Sequence, residues 1–133
     1  MNWLAIVVGA LVPMVLGFIW YHKSLFGNAW MKSIGKTEED LKQGNMGMIM
    51  GVSFLLSAVL AHTMVQYMGY HDPAEQTFIH GMFHGALLAL TVAAPVLVTN
   101  SLFEHRNWTN IFINLFYWVL AIALIGGVVT LFM

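Results

Sequence analysis

Cysteine is absent from the 133-residue chain, which excludes disulfide cross-links and thiolate metal sites. Charge is almost as scarce: only 8% of residues are Asp, Glu, Lys or Arg, where a soluble domain carries about 25%. So few charges cannot cover a water-facing surface, and the natural solvent is lipid. The net charge is −1 with no basic tract, so nucleic acid has no electrostatic footprint to bind. The basic n-region of a cleavable secretory signal is also missing. No Lys or Arg precedes the first apolar run, which continues through Phe18, Ile19, Trp20 and Tyr21 without a small-residue exit. That run is expected to be a retained span. No nucleophile–base pair, phosphate loop or acidic metal cluster is visible, so the reading leans away from an enzyme.

What is present is hydrophobicity, 59% of residues, gathered in four long runs. The expected fold is all-α: one integral membrane domain of four transmembrane helices, about 3–21, 46–68, 77–103 and 108–131. At 1.5 Å per residue, the first run of about 19 residues reaches roughly 28 Å, close to the hydrocarbon thickness of a bilayer. Pro13 and Pro95 are expected to kink the first and third spans. Between the first two spans, Leu25, Phe26, Trp30 and Met31 alternate with Lys23, Asn28, Lys32 and Ser33, which predicts a short helix lying in the headgroup plane. Thr37, followed by Glu38, Glu39 and Asp40, predicts a capped helical turn. Asp72-Pro73-Ala74-Glu75 resembles the start of the third helix, with Asp as N-cap and Pro at the first position.

All five cationic side chains, Lys23, Lys32, Lys36, Lys42 and Arg106, fall in the first and third loops. The positive-inside bias then places those loops in the cytoplasm, and both termini and the second loop outside. Glu104 and Arg106 are expected to pair with each other or with lipid headgroups.

Chemistry is most concentrated in His80-Gly81-Met82-Phe83-His84-Gly85. Residues four apart differ by only about 40° around a helix, so the two histidines share one face and the two glycines another. If the second and third spans are antiparallel neighbours, His62 lies at the same depth as His80 and His84. Three imidazoles at one level could hold a transition metal with an open position, ligate haem, or relay protons. A stripe of His80, His84 and Thr91 could line a small channel or transporter path. The plainer alternative is helix packing: Gly47 with Gly51, and Gly81 with Gly85, are small-xxx-small pairs that permit close helix approach. Asn100, Asn110 and Asn114 are expected to tie the third and fourth spans together.

The block Met1-Asn2-Trp3-Leu4-Ala5-Ile6, then Pro13, Gly17-Phe18-Ile19-Trp20-Tyr21 and Leu25-Phe26-Gly27-Asn28-Ala29-Trp30-Met31-Lys32, resembles a bacterial membrane family catalogued as domain of unknown function 1761. The resemblance continues through Lys36-Thr37-Glu38-Glu39-Asp40, Leu102-Phe103-Glu104-His105-Arg106, Ile113-Asn114, Tyr117 and Gly126-Gly127. It implies four spans in a bacterial inner membrane and brings no activity or catalytic residue. Taken together, the expectation is a non-enzymatic structural or accessory component of the bilayer, forming a homo-oligomer or a subunit of a larger membrane complex. The alternatives are metal or haem binding, and transport.

Overall fold

Lipid offers no hydrogen bonds, so an apolar run enters it only where the backbone satisfies itself, as a helix does. The computed structural model, which describes residues 2–133, is helical throughout its apolar runs. The order is α1 (Trp3–Trp20), α2 (Gly27–Ile34), α3 (Glu38–Lys42), α4 (Met46–Met68), α5 (Phe78–Leu88), a π-helical segment (Ala89–Ala93), α6 (Ala94–Phe103) and α7 (Trp108–Thr130). Four helices are long and apolar enough to cross a membrane: α1, α4, the continuous span Phe78–Phe103, and α7. Their large outward side chains stay uncovered by protein, as with Phe18 (72% exposed), Leu55 (65%) and Phe103 (82%). In water this would be prohibitive; in a bilayer these are lipid contacts.

The short helices follow local rules. Thr37 and Asp40 form a reciprocal capping box at the start of α3, as the sequence predicts. Gly35 ends α2 in the left-handed region at φ 65°, where a residue with a Cβ would be strained. The third span starts later than predicted. Pro73–Glu75 is only a 3-10 turn, and Gln76 leaves helical geometry at ψ 60°. Thr77 is the true N-cap, accepting from the His80 N–H at 3.3 Å. Gln76 instead donates from Nε2 to the carbonyls of Met68 (3.3 Å) and His71 (3.0 Å), folding the loop back over the end of α4.

The central helix is α7, against which α1, α4, α5 and α6 all pack. Its buried residues run from Asn110 to Thr130. One core cluster joins Ala5 and Ile6 of α1, Ala61, Met64, Val65 and Met68 of α4, and Ile125 and Val129 of α7. The pairing of α5 differs from the expected hairpin. It packs on α7 and barely touches α4, because its glycine face allows backbone-to-backbone approach there. A Cβ on Gly81 would lie 2.2 Å from the Gly126 carbonyl oxygen, and one on Gly85 would lie 2.3 Å from that of Ile122. Gly126 completes the fit, since its own Cβ would meet the Gly81 carbonyl oxygen at 2.1 Å. Beyond the π segment, α6 buries none of its residues.

Candidate functional site

Loop two and the start of α5 bring three histidines together. His71, His80 and His84, all half-buried, offer ring nitrogens that lie within 4.8 Å of one another. The imidazole centroids of His71 and His84, and of His80 and His84, are each 4.6 Å apart. Thr77 starts α5 and Gly81 and Gly85 seat it on α7, which fixes the His80 and His84 face. Gln76 holds the backbone of His71, and its ring is oriented by the Tyr67 carbonyl, 3.2 Å from Nδ1. A carbonyl only accepts, so Nδ1 carries the proton and Nε2 keeps its lone pair. A carbonyl behind the imidazole is the usual outer support of a metal-ligating histidine.

His80 and His84 meet Nε2 to Nε2 at 2.7 Å, one donating and the other accepting. The Nδ1 of His84 is buried without a hydrogen-bond partner. Tyr67 and Phe83 close around that ring, with centroids 5.1 and 5.4 Å away. Zinc–imidazole bonds of 2.0–2.1 Å in tetrahedral geometry put two ligand nitrogens about 3.3 Å apart. Opening the His80–His84 contact by about 0.6 Å therefore converts a shared proton into a shared metal. Haem fits poorly: its macrocycle must lie between two axial ligands, and here the imidazoles bond each other directly.

His62 is not part of this group, which is a correction to the predicted set. Thr63, Met64 and Tyr67 are the α4 residues that face His84, across a slot of about 230 Å³. Position 62 lies about 100° around the helix from position 63, and about 140° from position 67. Sequence reasoning placed His71 only in the connecting turn. The signal that could have found it is Gln76, a side chain able to fold the loop back onto α4. Thr91 of the proposed channel stripe also lines the slot, but its hydroxyl is spent on the Leu87 carbonyl at 2.7 Å.

The opposite end, where the cationic loops lie, carries a different constellation. Tyr21 Oη donates to Asn114 Oδ1 (2.7 Å), Asn114 Nδ2 to Asn110 Oδ1 (3.2 Å), Asn110 Nδ2 to Ser33 Oγ (3.1 Å), and Ser33 Oγ to the Trp30 carbonyl (2.6 Å). Trp20 Nε1 donates to the Ile113 carbonyl (3.1 Å), and Tyr117 Oη to the Pro13 carbonyl (2.6 Å) in the space left by Gly17. The asparagines thus bind α7 to α1 and α2. Asn100 takes no part: it is exposed on α6, whose outward rotation beyond the π segment removes it from the network. Gly47 and Gly51 also differ from expectation. A Cβ on Gly51 would meet nothing within 4 Å, and one on Gly47 would meet only the Asn45 side chain at 3.6 Å. Above the network opens a polar cleft of about 350 Å³, walled by Trp30, Lys36, Ser101, Arg106, Asn110 and Asn114.

Many residues that carry the family resemblance, Trp20, Tyr21, Trp30, Glu104, Arg106, Asn114 and Tyr117, gather around this cleft and network. No curated protein and no solved structure matches the chain. A family model described as Protein of unknown function (DUF1761) matches residues 4–130, nearly the full length, and the chain belongs to that family.

Proposed function

We propose that this protein binds a transition metal ion through His71, His80 and His84, with a fourth coordination position left open. The observation that carries the reading is the convergence of three half-buried imidazole nitrogens within 4.8 Å, with His71 already held in the tautomer that presents Nε2. Imidazole ligands suit zinc, copper, iron or nickel, and an ion held near one membrane face by neutral ligands suits sensing, storage or hand-over. The open position faces the slot beside His84.

The test is metal content by plasma mass spectrometry on protein purified without a histidine tag and equilibrated with zinc or copper. One ion per chain is expected, lost in each of His71→Ala, His80→Ala and His84→Ala and retained in His62→Ala. Wild type without metal, or a triple variant that keeps it, overturns the proposal.

The proposed setting is a bacterial inner membrane, with the cationic loops in the cytoplasm and the histidines near the outer face. It is supported by the confinement of Lys23, Lys32, Lys36, Lys42 and Arg106 to one end. The absence of cysteine makes the check clean: an impermeant maleimide should label Tyr70→Cys in intact cells, and Ser24→Cys only after lysis. The reverse pattern would invert the topology.

A further inference from the structure

The cleft at the cationic end has a floor whose polar groups are used and a rim whose cations are not. Asn110 and Asn114 are tied into the Tyr21–Ser33 chain. At the rim, Arg106 gives only Nε to Glu104, at 3.1 Å. No hydrogen bond within the described chain takes its terminal guanidinium nitrogens, Lys36 Nζ or Ser101 Oγ. These groups come from three segments: the α2–α3 connection, α6 and the α6–α7 turn. Their walls are fixed by Asn107, which donates to the Ser33 carbonyl at 3.0 Å and so clamps the start of α7 to α2. A planar guanidinium fork, a point ammonium charge and a hydroxyl around one cleft form a donor set for an anion with several acceptor oxygens. The one carboxylate at the rim, Glu104, is already neutralised by Arg106, which disfavours a cation.

We propose that this cleft binds a phosphate group, with Lys36 and Arg106 supplying the charge and Ser101 a hydroxyl. The phosphate could be that of an anionic phospholipid headgroup or of a soluble phosphomonoester, because the cleft opens beside the lipid-exposed α6. The site lies at the opposite end from the histidines and stands independently of the metal reading.

The test uses the full chain in nanodiscs. One arm varies phosphatidylglycerol in phosphatidylcholine and counts lipids retained in native mass spectrometry after mild delipidation. The other keeps pure phosphatidylcholine and titrates glycerol 3-phosphate by calorimetry. Saturable binding of one phosphate-bearing molecule is expected in one arm, and that arm identifies its source. Lys36→Gln with Arg106→Gln should weaken it by about tenfold or more. Lys32→Gln with Lys42→Gln removes the same charge from the same end outside the cleft and should leave binding within about twofold. Thermal unfolding of both variants confirms the fold. No saturable binding in either arm, or equal losses in the two double variants, overturns the proposal, the second outcome reducing it to general surface attraction.

Discussion

At the cationic end, Tyr21, Asn114, Asn110 and Ser33 pass hydrogen bonds from one side chain to the next, and each has a partner. At the histidine end, three imidazoles crowd together and His84 Nδ1 is buried with none. Both ends place polar groups at the margin of a lipid-solvated bundle, where an unpaired polar atom is costly. The satisfied network needs nothing from outside and ties α1, α2 and α7 into a frame. The unsatisfied cluster is strained towards a ligand. The contrast separates polar residues kept for architecture from polar residues kept for chemistry, although by type alone both look like helix glue.

The largest effect should come from the contact that presents the histidines. Gly81→Leu would drive a side chain into the Gly126 carbonyl, which already lies 2.2 Å from a bare Cβ. Loss of folded protein in detergent is expected, and Gly81→Ala should destabilise by about 3 kcal/mol, at the upper end of overpacking costs. Gly51→Leu, with open space around it, should unfold at the wild-type temperature in monomeric detergent preparations. Equal damage from the two leucine variants would remove α5–α7 packing as the scaffold of the site.

Next in size is the division of labour between the ends. Tyr21→Phe or Asn114→Leu should cost about 0.6–2 kcal/mol, the range for interhelical hydrogen bonds in membranes, and leave metal stoichiometry unchanged. His84→Ala should abolish metal binding while leaving metal-free unfolding within about 1 kcal/mol, since it removes the unpartnered nitrogen along with the ring. Calorimetric or steric-trapping measurements read both. If His84→Ala destabilised the metal-free protein as much as Asn114→Leu, the histidines would be packing like the asparagines.

The smallest effect is a pH response in the loop. The Lys23 ammonium, 2.5 Å from Glu38, holds that carboxyl below its ordinary 4.5. Hydrogen bonds from Thr37 hold Asp40 below its ordinary 3.8. Groups with depressed values stabilise the fold above their ordinary range and lose that contribution as pH falls through the depressed one. Amide exchange in 37–42 should accelerate as pH drops below about 4, relative to the intrinsic rate, while α7 stays protected. Lys23→Gln should raise the pH at which this begins.

The four spans were legible because lipid imposes a length and a composition, and the Thr37 cap because capping is local. Helix rotation was not. A span apolar on every side carries almost no angular signal, so nothing in the sequence said which face of α4 looks at α5. The choice of His62 over His71 failed on that angle. The same blindness made Gly47-Gly51 and Gly81-Gly85 look equivalent, when only the second pair meets a backbone it could clash with. Asn100 was grouped with Asn110 and Asn114 by depth alone, and the π segment between α5 and α6, unreadable from Ala89-Leu90-Thr91-Val92-Ala93, turned it away.

That π segment has a consequence for how the third span tolerates change. A π turn absorbs one extra residue without ending the helix, so the span consists of two pieces in different angular register. Deleting one residue, Val92 for example, would restore continuous α-helical geometry and turn everything beyond it by about 100°. Ser101 would swing out of the cleft wall, while His80 and His84, upstream and locked on α7, would keep their places. The segment works as a spline joint: the histidine half and the cleft half of one helix can be re-indexed against each other by a single codon.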